Sequence, residues 1–181
     1  MNLLNKLIVT ALPVIPKPIV RKFAGKYIAG EKLSDAVRVV KELNTKGIMA
    51  TLDVLGEAIT TKDEAIVARN EILELFPTIQ KEKLDSNVSI KLTQLGLALD
   101  KKFCLENVRM IVSRAKEMNN FVRIDMEDSP TTDDTIWVYC QIRKEFKNSG
   151  IVLQAYMRRT EDDSDRLIKD GLGHFRLCKG I

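Results

Sequence analysis

The stretch VSIKLTQLGLALDKKFCLENVRMIVSRAKEMNNFVRID, residues 88–125, decides the fold. Val88 to Leu92 is a short run of strand formers. Val108, Ile111, Val112 and Ala115 then recur at the spacing of a helix with one buried face. Phe121 to Asp125 is strand-like again. Strand, helix and strand in one segment mean a βαβ unit and a parallel sheet.

The rhythm extends in both directions. Upstream, Leu33, Ala36, Val37, Val40 and Leu43 predict a helix that Gly47 stops, and Ile48 to Leu52 read as a strand. Thr61 with Glu64 forms a capping box before a stripe of Ala65, Ala68, Ile72, Leu75, Phe76 and Ile79, ending near Leu84. Downstream, a helix capped near Thr131 or Thr132 carries Tyr139, Ile142 and Phe146. Ser149-Gly150 is expected to break that helix before the strand Ile151 to Leu153. Thr160 and the acids Glu161 to Asp163 mark another helix start, Gly171 and Gly173 its end, and His174 to Leu177 a fifth strand.

The expected fold class is therefore α/β, a distorted (β/α)8 barrel of the TIM type. A helical lead-in is expected over residues 1–30, followed by a partial barrel over residues 31–181 that holds about the first five strands. A full barrel uses roughly 250 residues. A natural domain seldom ends on an unpaired strand, so the native protein is expected to continue past Ile181. The rival architecture is a doubly wound sheet, but no strand is followed by a Gly-rich phosphate turn.

Composition narrows the class. With 45% hydrophobic residues and a net charge of only +4 among 181 residues, disorder is excluded. Cys104, Cys140 and Cys178 are scattered, which points to neither a disulfide framework nor a zinc site and favours a reducing, cytoplasmic setting. Residues 1–50 hold nine Lys/Arg against three Asp/Glu, beside the apolar stretch NLLNKLIVTALPVIP of residues 2–16. That stretch is too short to span a bilayer; it is expected to dock on the domain as a helix, a peripheral membrane contact being the alternative. Nucleic acid is an unfavoured partner, because no recognition motif accompanies the basic residues.

Polar residues gather toward the C-terminal end of every strand: Thr51 and Asp53, Lys91 and Gln94, Asp125 and Glu127, Gln154 and Arg158, Arg176 and Lys179. Charge on a buried strand is costly unless paired or used, and this end is where parallel α/β proteins build their sites. Lys91 is suited to a Schiff base or to anchoring a carboxylate; the plainer reading is an ion pair with Asp125. Asp125 lies between Arg123 and Glu127 on one face. Gln154 suits the edge of a heterocycle or a structural hydrogen bond, and Arg176 can donate to a ring nitrogen. Gly180 would let backbone approach a ligand. His174 stands at the wrong strand end for catalysis, Cys178 reads as a small hydrophobe, and capping explains Asp133-Asp134 and Asp162-Asp163. Arg158-Arg159 is read as a phosphate contact or a solvated pair.

The strings TLDVLGE (51–57), VSIKLTQLG (88–96), RIDMEDS (123–129), VLQAYMRR (152–159) and FRLCKGI (175–181) resemble successive barrel strands of the flavin-dependent proline dehydrogenases. YIAGEKLSDAVRVVKELNTKGIMATLDVLGE resembles the family's approach to its first strand. The resemblance implies non-covalent FAD, oxidation of L-proline to pyrroline-5-carboxylate, and electrons passed to a membrane quinone, with a separate pyrroline-5-carboxylate dehydrogenase in the pathway. It places Lys91 on the substrate carboxylate and Asp125 and Arg176 on catalytic positions, with Arg176 beside the reactive flavin nitrogen. Met126, Gln154, Lys179, Gly180 and Ile181 fall on cofactor-contacting positions. The family's last three strands and its final Tyr-x-x-Arg-Arg-x-x-Glu helix have no counterpart here, so a barrel fragment with little turnover is expected. A Schiff-base lyase using Lys91 and a non-catalytic barrel fragment are the alternatives.

Overall fold

The computed structural model describes residues 29–180 apart from 31, 57 and 58. Ile181 and nearly all of the expected lead-in therefore lie outside the described residues. Elements run α1 (Leu33–Asn44), β1 (Ala50–Asp53), α2 (Lys62–Glu82), β2 (Ser86–Ile90), α3 (Lys101–Glu117), β3 (Val122–Ile124), α4 (Thr132–Glu145), β4 (Ser149–Gln154), α5 (Thr160–Lys169) and β5 (Phe175–Cys178).

The five strands form one sheet in the order β1-β2-β3-β4-β5, every neighbour parallel. Sequential order with right-handed crossovers puts all intervening helices on one face, which is barrel succession. A doubly wound sheet would reverse its order partway, so that rival is ruled out. Leu52, Val88, Ile90, Val122, Ile124, Ile151 and Leu153 point to the helix side and join one core with Phe76, Val108, Ile111, Val112, Tyr139 and Ile142. The alternate residues face the concave side: Asp53, Ser89, Lys91, Arg123, Asp125, Gln154 and Arg176. Among the described residues no helix is long and apolar enough to cross a membrane.

Local chemistry explains the helix ends. The Thr61 hydroxyl accepts from the Glu64 N–H at 3.3 Å, and the Glu64 carboxylate accepts from the N–H groups of Thr60 and Thr61 at 2.6 and 3.2 Å. Asp100 caps α3 by accepting from the Lys102 and Phe103 N–H groups. Pro77 removes one ladder donor inside α2, yet the helix continues because fully buried Phe76 and nearly buried Ile79 hold both sides of it. Two expectations need correction. Ser149 and Gly150 do not break α4; they open β4, and α4 stops at Glu145. Thr160 is the first residue of α5 rather than its cap, because its hydroxyl donates to the Gln154 carbonyl at 2.5 Å.

Asparagines lace the N-terminal ends of the strands. The Asn44 amide donates to the Ile48 and Asp85 carbonyls and accepts from the Asp85 N–H. Asn120 donates to the Ser86 carbonyl, and Asn148 to those of Val112 and Asn120. These bonds join each strand start to the preceding turn, as expected of a barrel's stabilising face. Asn148→Ala strands two carbonyls and is expected to lower unfolding free energy by about 1–3 kcal/mol in urea denaturation. Gly150→Ala is expected to cost a similar ~1–3 kcal/mol. A Cβ there would meet the Arg123 guanidinium and lie 2.7 Å from the His174 carbonyl oxygen.

Candidate active site

At the C-terminal half of the strands the concave face carries two ion pairs. The Asp125 carboxylate accepts from Arg176 at 2.9 Å. The two residues stand on β3's extension and on β5, with Val152 of β4 between them in register, so the pair bridges over Val152. Lys91 follows β2, and its ammonium donates to the Asp53 carboxylate at the end of β1. The expected Lys91–Asp125 pair does not form: Asp125 turns toward Arg176 and Lys91 toward Asp53. Register sets Lys91 beside Asp125 on the neighbouring strand, yet each takes a partner reached across the face, Lys91 diagonally on β1 and Asp125 over Val152 on β5. Asp53 is the residue whose role sequence reasoning missed. Its only signal was the polar alternation of Thr51 and Asp53, which places it on the concave face.

Above these pairs opens a cleft of about 820 Å³. It is lined by Lys91, Met126, Glu127, Asp128, Ser129, Gln154, Tyr156, Met157, Arg158 and Arg159. Of the sequence candidates, Lys91, Met126 and Gln154 thus share one wall, while Asp125 and Arg176 lie beside it on the concave face. The Gln154 amide donates to the Met126 carbonyl at 2.8 Å, which leaves its Oε1 as an acceptor. Gly180 adopts φ +78°, and a Cβ there would lie 2.8 Å from Gln154 Cβ and 2.9 Å from its Oε1. Only glycine lets backbone close on Gln154 in this way. The Lys179 carbonyl accepts from the Tyr156 N–H at 2.8 Å, tying the end of β5 to the loop after β4.

The loops are set by their own pairs. Glu127 leaves the Asp125 face, contrary to the alternation reading, and accepts from the Thr93 N–H at 3.0 Å and hydroxyl at 2.5 Å. That contact joins the loops after β2 and β3. Arg159 is not simply a solvated cation. It bridges Asp133 at 2.5 Å and Asp163 at 2.6 Å, and it holds the Asp133 carboxyl below its usual range. Asp163 is buried by this contact rather than acting as a simple cap. Burial pushes the Cys104 thiol far up, so that group is inert. His174 does lie at the N-terminal strand ends, stacked 4.9 Å from Phe121.

Comparison with known proteins fits this geometry. The family model "Proline dehydrogenase" matches residues 36–174. The chain belongs to the proline dehydrogenase family. Proline dehydrogenase 1 of Bacillus subtilis subsp. natto is 38% identical over 157 residues, covering 87% of this chain and 52% of the relative. Proline dehydrogenase of Deinococcus radiodurans is 32% identical over 162 residues, with 87% and 52% covered. The chain spans about half the length of the curated relatives it matches. Among solved structures, proline utilization A from Bdellovibrio bacteriovorus, inactivated by N-propargylglycine, superposes with a TM-score of 0.79 at 28% identity. That match covers 89% of this chain and 20% of the other. A bifunctional proline utilization A protein shares the fold with a TM-score of 0.69 at 20% identity, covering 88% of this chain and 19% of the other.

The two adjacent arginines of this proline dehydrogenase family member should separate in a stability test. Arg159→Ala removes the closer partner of buried Asp163, leaving only Arg166 at 3.4 Å, and is expected to cost about 1–3 kcal/mol. Arg158→Ala, at an exposed position on the cleft, should stay within about 0.5 kcal/mol in the same urea titration.

Proposed function

We propose that this chain supplies the substrate- and cofactor-facing strands of an FAD-dependent proline dehydrogenase that oxidises L-proline to pyrroline-5-carboxylate. The observation that carries the reading is the arrangement of Lys91 and Arg176. Each is a cation on the concave face held by its own acid, and Lys91 opens onto a cleft walled by the Gln154 amide. That donor set fits a planar heterocycle with a small amino acid beside it. Gln154 Oε1 can accept from a ring N–H, the Gly180 backbone closes on the same amide, and the cleft has the size of a cofactor site. Met126, Gln154, Lys179, Gly180 and Ile181 are the residues we assign to the cofactor.

FAD held by these residues would supply an acceptor for the hydride on the carbon beside the substrate nitrogen. The chain's own part is positioning and electrostatics. Lys91 anchors the substrate carboxylate and so fixes the direction in which the ring of proline lies. Asp53 keeps the Lys91 ammonium aimed while the site is empty of substrate. Arg176 supplies positive charge where negative charge arrives on reduction, and Asp125 holds that guanidinium in place. We further assign a membrane quinone as the electron acceptor and a peripheral position on the inner face of the membrane for this cytoplasmic protein. The apolar residues 2–16, set within the basic first fifty residues, support that position. The product would pass to a separate pyrroline-5-carboxylate dehydrogenase.

The test is anaerobic stopped-flow reduction of the FAD-loaded protein by L-proline. Bleaching of the yellow flavin band is the expected result, and a flavin-loaded protein that proline leaves oxidised would overturn the reading. Lys91→Ala is expected to raise the proline concentration for half-maximal reduction at least tenfold. Arg176→Ala should slow reduction even at saturating proline.

A further inference from the structure

At the opposite, N-terminal ends of the strands lies a second pocket of about 420 Å³, remote from Lys91 and Gln154. Its walls include Asn87, Asn120, Phe121, Arg123 and His174. Arg123 is the cation there; among the described residues no acid lies within ion-pair distance of it, and Asp125, whose charge it feels from two positions along, is bonded to Arg176. Its Nη1 makes contacts of 3.4 Å only, with the carbonyls of Ile151 and His174 and with His174 Nδ1. These lie at the far limit of hydrogen bonding, and among the described residues Nη2 and Nε meet no acceptor. The other interior cations differ: Arg176 holds Asp125, and Lys91 holds Asp53.

The surroundings are built for this guanidinium. Gly150 has no Cβ, and that space is filled by Arg123 and His174. Phe121 lies under both, 4.8 Å from the guanidinium carbon and 4.9 Å from the imidazole centroid. The arginine is thereby held by stacking and shape rather than by a counter-charge. Burial, and then the charge of Arg176, lower its affinity for the proton, so a bound anion would relieve both. Asn87 adds a side-chain oxygen that is buried without a hydrogen-bond partner. Rotation of that amide presents its NH2 instead. The one acid on the wall, Asp85, is solvent-exposed, where water and salt screen it.

We propose that this pocket binds a phosphate group, free or as the end of a small phosphomonoester, with the Arg123 fork as its principal ligand. A planar guanidinium with open N–H donors matches tetrahedral oxyanions in bidentate fashion. His174 and Asn87 supply further donors around the same centre. The site is independent of the assignment made to the C-terminal cleft.

His174 is the single histidine of the chain, so its ring signals report on this pocket alone. The experiment is a titration of tag-free, 15N-histidine-labelled protein with inorganic phosphate, then with phenyl phosphate, at constant pH and ionic strength. Saturable movement of the His174 ring resonances with either probe is expected. Arg123→Gln should weaken that response at least tenfold, and Lys91→Gln should leave it unchanged. Arg123→Lys, which keeps the charge and loses the fork, provides a second variant if Arg123→Gln does not fold; it should weaken binding as well. No saturable shift with either probe, or a shift that survives loss of the guanidinium or disappears with Lys91→Gln, would overturn the proposal.

Discussion

The ion pairs Lys91–Asp53 and Asp125–Arg176 are the constraint around which the concave face is organised. Once all helices lie on one side of the sheet, the other side must hold whatever the alternate strand residues are, and here these are acids, cations and amides. An unpaired charge on such a surface costs several kcal/mol unless water reaches it. Pairing across strands removes that cost and leaves two cations oriented but exchangeable.

The outer layer makes this possible. Val88, Ile90, Val122, Ile124 and Ile151 are fully buried against the helices, so the strands cannot slide by one residue without turning charge into the core. The charged side chains then choose partners across the concave face, Lys91 on β1 and Asp125 on β5. The two ends of the sheet divide the labour. Asparagine side chains bind backbone at the N-terminal ends, whereas the C-terminal loops are joined by Thr93–Glu127 and by Arg159 with its two acids. Loops held by side-chain pairs rather than by continuous sheet can frame a cleft while keeping its walls polar.

Much of this was legible from residue pattern. The helical stripes, the Thr61–Glu64 capping box and the turn at Gly47 all describe local preferences, and local preference survives folding when the core agrees with it. Where reading failed, the missing information was contact between distant residues. Gly150 reads as a breaker, yet its lack of a side chain serves Arg123, which lies 27 positions earlier, and His174 on the next strand. Arg159 reads as a surface charge until Asp133 is brought to it from the start of α4.

By itself, then, the amino-acid order determined the element sequence, the parallel α/β class and the face on which each strand residue lies. These depend on periodicity and on backbone preferences within a few residues. The partners of the charged groups were decided only in the folded sheet. Coulombic and hydrogen-bond energies depend on distances between strands, and those distances are set by register and crossover, not by separation along the chain.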